Sequence, residues 1–425
     1  MARSIAWVLF VTGSICVYAA PLSAQGVRYL RWQQIQPLTA SIAAAGEKLP
    51  DFPTASAWDN WIRQRDWEVR GRTDQSVEDL ISGWIVFGTS FTTQPVVMSQ
   101  KDAVNAAGDL TPVSKARIDD FIKGLDSRDD ERWRDVLEFL RRLRVTEEEL
   151  PAFLGGILRR SAIDHANVGR GGETAPLLMG FAISETLRAL KTSAAAPAHV
   201  RRVAVIAPEL DFSGGPDGYD FYPLQAIQPY TILEAVERLD LARAAEVQMS
   251  LVGMNPFVLS HLRTITAKLR TGHYVVQLPL NTAAGWNAEA VSYWNRFGEL
   301  IGSPADPLAP PSGVHHVNMR AIAVKPQAGA RISVNDLDIV AQSVETAPGQ
   351  GFDIVVALNA LSEYDRVEQS LALASLAEMM NPGAVLLIRG ASPAAIPSEL
   401  ESLGSHRIVY SERGLGIDIS VYRRR

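Results

Sequence analysis

The chain has one cysteine in 425 residues, Cys16, and it lies among the first twenty. A disulfide framework is thereby excluded. Histidine is also scarce. The seven are scattered, none stands at i, i+4 from another, and the adjacent His315 and His316 point in different directions, so a zinc site built by the protein is not expected. No lysine-bearing phosphate loop occurs, and Gly169-Arg170-Gly171-Gly172 follows helical pattern instead of a strand, which makes it a connector. Gly88-Thr89-Ser90-Phe91-Thr92 ends in threonine and sits in helical pattern, which excludes a nucleophile elbow. Positive charge is not in excess either. With 41 basic and 47 acidic residues and a net charge of −6, nothing draws a polyanion, and nucleic acid is not expected as a partner.

What is present is a globular composition, 47% apolar and 21% charged, in a chain long enough for two or three domains. At its start, Arg3 precedes an apolar run from Ile5 to Ala20, followed by Pro21-Leu22-Ser23-Ala24-Gln25. That is the layout of a secretory signal, with cleavage expected after Ala24 and a mature chain without cysteine. Two other readings stay open. Cys16 is a candidate for lipid modification, although Ile15 is bulky for the preceding position, and the run is a candidate for an uncleaved anchor, although it is shorter than the ~20 residues a span needs. Cleavage leaves no stable membrane span and makes the protein exported, periplasmic or extracellular; without cleavage it is cytoplasmic or membrane-anchored.

From Ala55 to Leu190 the apolar spacing is helical. Trp58, Trp61 and Ile62 share one face, Val77, Leu80, Ile81 and Trp84 the next, and Ile118, Phe121, Ile122 and Leu125 repeat the stripe, as do Trp133, Val136, Leu137 and Leu140. Thr146 and Glu149 form a capping-box pair before Leu150, and a last helix carries Leu177, Leu178, Phe181, Leu187 and Leu190. The small, uncharged stretch from Thr192 to Ala198 then ends the pattern. This divides the chain into a leader over 1–24, a helical domain over 25–195 and an α/β domain over 196–425.

In the second domain Val203 to Ile206 reads as a strand, Ile232, Ala235, Val236 and Leu239 as a helix, Val247, Met249 and Leu251 as a strand, and Val258, Leu262, Ile265 and Leu269 as a helix. The alternation predicts a doubly wound parallel sheet. Val317 to Val324, Ile354 to Leu358 and Val385 to Ile388 continue it, and His406 to Ser411 with Ile417 to Tyr422 form a hairpin around Glu412-Arg413-Gly414-Leu415-Gly416. Gly302 to Gly313, with its prolines, reads as an exposed inserted loop.

One run carries chemistry: Phe352-Asp353-Ile354-Val355-Val356-Ala357-Leu358-Asn359-Ala360-Leu361-Ser362-Glu363-Tyr364-Asp365, with a helix and then Met380-Asn381-Pro382-Gly383 leading into a strand. It resembles the fourth strand, following helix and fifth strand of class I S-adenosylmethionine-dependent methyltransferases, and its Asn-x-Leu-x-x-Tyr-Asp run is similar to that of the chemotaxis-receptor branch. The resemblance covers about Val200 to Arg425. It implies a Rossmann-like, seven-stranded sheet with an antiparallel last strand, S-adenosylmethionine as cofactor, and Asn359, Glu363 and Tyr364 at the strand end beside the methyl donor and acceptor. The catalytic candidates are Asn359 and Tyr364. The region with Trp58, Trp61, Arg65, Asp66, Arg70 and Phe87-Gly88-Thr89-Ser90-Phe91 is similar to the N-terminal part of uncharacterised bacterial proteins that share this second half, which implies nothing about chemistry.

The cofactor-binding candidates are Ala207, Glu209, Asp211, Gly253, Asn255 and Asn359, and several depart from the family's pattern. After the first strand, Val205-Ile206-Ala207-Pro208-Glu209-Leu210-Asp211-Phe212 has alanine and glutamate where the family has glycines. Glu209 places a negative charge near the cofactor's own carboxylate. The second strand ends Leu251-Val252-Gly253-Met254-Asn255-Pro256, so glycine stands where a ribose-binding acid is expected and Asn255 is the nearby polar substitute. The run Asp211 to Pro223, rich in Asp, Tyr and Gly, forms either part of a cleft or a turn whose aromatics cap the sheet. Export adds a second tension, because S-adenosylmethionine is not made outside the cytoplasm. Two functions follow: a methyltransferase-like protein with a degenerate cofactor site and weak or absent catalysis, its small-molecule or protein acceptor unknown, or an exported binding or scaffolding protein that keeps the fold.

Overall fold

A computed structural model describes residues 26–88, 91–97, 100–127, 131–167, 176–208, 210–211, 224–280, 285–309, 318–358 and 360–425. The leader with Arg3, Cys16 and Ala24, the connector at 169–172, Thr89 and Ser90, Glu209, the run 212–223, His315, His316 and Asn359 lie outside the described residues.

The chain opens with β1 (Val27–Tyr29), α1 (Trp32–Ile35) and α2 (Thr39–Ala44), followed by α3 (Ala55–Phe87), α4 (Pro112–Ser127), α5 (Glu131–Arg142), α6 (Leu150–Asn167) and α7 (Pro176–Thr192). The α/β part contains β2 (Arg202–Ile206), α8 (Gln228–Arg238), β3 (Gln248–Gly253), α9 (Pro256–Arg270), β4 (Val275–Pro279), α10 (Ala288–Arg296), β5 (Gly302–Ala305), β6 (Met319–Val324), α11 (Pro326–Gly329) and β7 (Ile332–Asp336). It finishes with β8 (Gln342–Val344), β9 (Phe352–Ala357), α12 (Arg366–Met379), β10 (Met380–Ile388), β11 (Leu400–Val409) and β12 (Gly416–Arg424).

The main sheet has seven strands in the order β11-β12-β10-β9-β2-β3-β7. β2 is parallel to β3 on one side and to β9 on the other, as expected of Val203 to Ile206. β3 with β7 and β9 with β10 are also parallel, while β12 runs antiparallel between β10 and β11. Numbered along the chain, the strands lie third, second, first, fourth, fifth, seventh, sixth, with only the last reversed. This is the methyltransferase-type sheet. β2 and the apolar cores of β9 and β10 are buried throughout because helices cover both faces, whereas β12 alternates buried Ile417, Ile419 and Val421 with Asp418 and Ser420.

Two expectations are corrected. Met319–Val324 is a strand but does not join the main sheet; it is the centre of a separate antiparallel sheet, β4-β6-β5. The main sheet's third strand is β7, which the sequence did not mark. The stretch beginning at Gly302 is not loop at its start: Gly302–Ala305 is an edge strand on β6, where Pro304 needs no ladder donor and a side chain at Gly302 would collide with Ile322 and the Ala323 carbonyl.

The helical half divides by packing. Val77, Ile81, Trp84 and Ile85 of α3 form a core with residues of α4, α5 and α6. The first half of α3 instead buries Trp58, Ile62 and Val69 against the sheet face that α12 covers, and β1 pairs with β8. α7, just before the boundary expected near residue 195, buries Leu178, Phe181 and Leu187 in the core on the other face. At 33 residues, α3 is about 50 Å long, enough to serve both cores.

Candidate functional site

In a doubly wound sheet, ligands bind outside the carboxyl ends of the strands where the order reverses, here between β2 and β9. Four strand ends meet there: Ala207 follows β2, Gly253 closes β3, Asp336 closes β7, and the turn Leu361–Glu363 with Tyr364 follows β9.

Ala207 is exposed and has φ +46, a left-handed conformation that glycine adopts freely and alanine adopts at a cost of about 1 kcal/mol. Its N–H donates to the Val252 carbonyl at 2.7 Å, which fixes the turn to the end of β3. The backbone thus makes the glycine-type turn while a methyl group occupies it.

Asp211 is buried and structurally committed. It bridges Gln225 through backbone hydrogen bonds, and its Oδ2 accepts from the Ile227 N–H at 2.7 Å, immediately before α8. A helix N-terminus is where an external anion would be favoured. Here the chain's own carboxylate sits there. Gln225 in turn holds β4, its amide accepting from and donating to the backbone of Gln277 at 2.9 and 2.6 Å.

Asn255 is the N-cap of α9. Its Oδ1 accepts from the N–H groups of Phe257 and Val258 at 3.0 and 3.4 Å. That leaves its NH2 group, which only donates, where a ribose-binding acid would accept two hydroxyl protons. A side chain at Gly253 would meet only Leu259 Cδ2 at 3.9 Å and Pro208 Cδ at 4.0 Å.

The features that sequence reasoning missed come from α3. Glu368, 2% exposed near the start of α12, accepts from Arg72 at 2.6 Å and Arg65 at 3.4 Å, and completes a capping box with Asp365. The spacing Asp365-x-x-Glu368 is a capping-box signature, but nothing local points to the arginines three hundred residues away. On the adjoining side of α3, Arg70 donates to Asp336 at 2.7 Å and to Asp66 at 2.7 Å. α3 is therefore tied to groups after β9 and at the end of β7, the strands that flank β2 and β3. Tyr364 is half-buried and lines a groove of about 480 Å³ with Trp61, Arg65, Arg366 and the chain at 48–50. The structure thus brings Ala207, Gly253 and Asn255 together at the strand ends, holds Asp211 at the start of α8, and turns Tyr364 toward α3.

Beyond these ties, Tyr29 donates to Asp66 Oδ2 at 2.8 Å, and Gln342 receives from Arg70 at 3.2 Å. Asp338, fully buried in the β7–β8 connection, receives the Val340 N–H at 2.8 Å on Oδ1, while its Oδ2 accepts no hydrogen bond. Burial, with the nearby Asp66 charge adding to it and the Val340 N–H and the Arg70 charge opposing it, pushes the Asp338 carboxyl up to about 7. Among the described residues no cluster of acids and histidines is arranged to hold a metal.

No protein-family model matches the chain, and no curated protein matches it. The chain is similar in structure to class I methyltransferases. Examples are the N-methyltransferase NodS from Bradyrhizobium japonicum WM9, at 11% identity over 60% of this chain and 99% of that chain with a TM-score of 0.28, and TrmN from Thermus thermophilus, at 11% over 66% and 68% with a TM-score of 0.29. An O-methyltransferase family protein from Burkholderia thailandensis matches at 12% over 79% and 80%, with a TM-score of 0.26. The shared feature is the order and direction of the seven strands. Where the fold would hold S-adenosylmethionine, the start of α8 carries the Asp211 carboxylate, glycine stands at 253, and the Asn255 Oδ1 caps α9.

Proposed function

We propose that this chain keeps the class I methyltransferase fold around a degenerate S-adenosylmethionine site, with weak or absent catalysis. The observation that carries the reading is the Asp211 carboxylate bonded to the Ile227 N–H at the start of α8. It puts a negative charge where the cofactor's own carboxylate would need a positive field. Ala207 in a glycine conformation and Gly253 in place of an acid support it. For any residual activity, the residues proposed to serve are Glu209 and Asn255 toward the cofactor and Asn359 and Tyr364 toward the acceptor.

A second reading, an exported binding or scaffolding protein, draws support from the arginine ties that bind α3 to both sides of the strand ends, where a substrate would have to enter. Among the described residues no helix is long and apolar enough to cross a membrane. Export rests on Arg3, the apolar run and Ala24; mass spectrometry of the native protein should find Gln25 at the N-terminus, and an intact Met1 or Ala2 would refute it.

The two readings separate by restoration. In a merely degraded site, Glu209→Gly with Gly253→Asp should recover measurable binding of S-adenosylhomocysteine. Silence from a folded double variant would mean a cleft rebuilt for another purpose.

A further inference from the structure

Asp66 and Asp338 are two carboxyl groups from opposite sides of one seam. Asp66 belongs to α3 and is 7% exposed; Asp338 follows β7 and is fully buried. The groups around them come from every element of the seam. Arg70 of α3 donates to Asp66 Oδ1, to Asp336 and to Gln342, while Tyr29 of β1 donates to Asp66 Oδ2, and the Arg63 guanidinium lies 4.3 Å from the centre of the Tyr29 ring. Gln342 of β8 donates to Asp66 Oδ2 at 3.4 Å and accepts the Asp338 N–H at 3.1 Å. The Tyr29 hydroxyl and the Gln342 amide donate to Asp66, Arg70 donates to Asp66, Asp336 and Gln342, and the Asp338 N–H donates to Gln342. Asp338 Oδ2 receives none of them, although it is buried. An ionised, fully buried oxygen without a donor is expensive, and the charge of Asp66, held on the same Gln342 side chain, raises the cost. A proton on Oδ2 removes the buried charge and with it both penalties.

We propose that the acid pair Asp66–Asp338 is a proton-dependent latch that holds the first half of α3, with β1, against the sheet: closed when the pair carries one proton, loosened when both carboxyls are ionised. The seam is the place where this matters, since the same stretch of α3 carries Arg65, Arg70 and Arg72, the three ties to groups beside the strand ends. The other titrating neighbour does not interfere: burial and the Asp66 bond raise the Tyr29 hydroxyl, so it stays protonated across the range.

The direction follows from linkage. Docked, Asp338 takes up its proton near pH 7, whereas a solvated aspartate does so near 3.9. The docked state therefore binds more protons between those values, so docking is strongest at acid pH, weakens as pH rises and is flat above the docked value. Between pH 6 and pH 9 the docking equilibrium should weaken about tenfold.

Hydrogen exchange of the full chain, corrected for intrinsic rates, tests the latch. Protection over residues 58–72 and 27–30 should fall about tenfold from pH 6 to pH 9, while α12 stays unchanged, and Asp338→Asn, which keeps a donor at all pH, should abolish the difference. A wild-type chain without the pH effect, or a variant that retains it, overturns the proposal. Should Asp338→Asn not fold, infrared titration of the wild type decides: the carbonyl band of a buried protonated carboxyl must vanish with a midpoint near 7, and a chain showing no such band contradicts the latch.

Discussion

Gly253 and Asp336 are register partners at the ends of neighbouring parallel strands, so the acid missing from β3 is present one strand away, held 2.7 Å from Arg70. Space does not explain the glycine, since a Cβ there makes only ordinary contacts. Charge does: an aspartate at 253 would stand beside Asp336 and compete for the same guanidinium.

Gly253→Asp alone should therefore fold, with a loss of no more than about 1 kcal/mol in urea unfolding. A loss above about 3 kcal/mol would show that the backbone at 253 excludes a side chain, and the restoration experiment would have to be reconsidered.

Arg117 is fully buried and donates to the carbonyls of Ile85, Gly88, Gln94 and Pro95, closing the C-terminal end of α3 onto the segment that follows it. Arg117→Ala strands these acceptors and should cost about 3–5 kcal/mol in thermal or urea unfolding. Arg117→Lys should recover only part, because an ammonium does not span the fork. A cost below about 1 kcal/mol for the alanine variant would contradict the assignment.

Glu368 holds Arg65 and Arg72 while capping α12. Glu368→Gln keeps an acceptor for the cap but removes the charge, and should cost about 1–3 kcal/mol, with faster hydrogen exchange confined to the first half of α3. Uniform exchange changes across α4 to α6 would instead point to global destabilisation.

The strands at Val203, Ile354 and Val385 were legible because a parallel strand covered on both faces is a continuous apolar run. β7 was not. Ile332-Ser333-Val334-Asn335-Asp336 has two apolar residues and one strand neighbour, so neither length nor periodicity marks it. Periodicity gave the helices of the first half but not the core each joins, since the stripe of α7 suits a helix bundle as well as a sheet face. At the site, the departures at Ala207 and Gly253 were visible directly. The work of Asp211 was not, because its partner Ile227 is sixteen residues distant. Asn255 before Pro256 is also a helix-start signature, one the cofactor reading did not use, and its Oδ1 is committed to the cap. The pairing of Asp66 with Asp338 depends on docking between distant segments and leaves no local trace.

Cofactor affinity is the quantity on which the account stands. The missing strand-two acid removes charge-assisted hydrogen bonds worth roughly 1.5–3 kcal/mol each, so two of them weaken binding by a factor on the order of a hundred or more. Isothermal titration of the full chain with S-adenosylhomocysteine should show no binding, or binding no tighter than roughly millimolar, about 4 kcal/mol. Low-micromolar binding would contradict the degenerate site and make the protein a methyltransferase candidate.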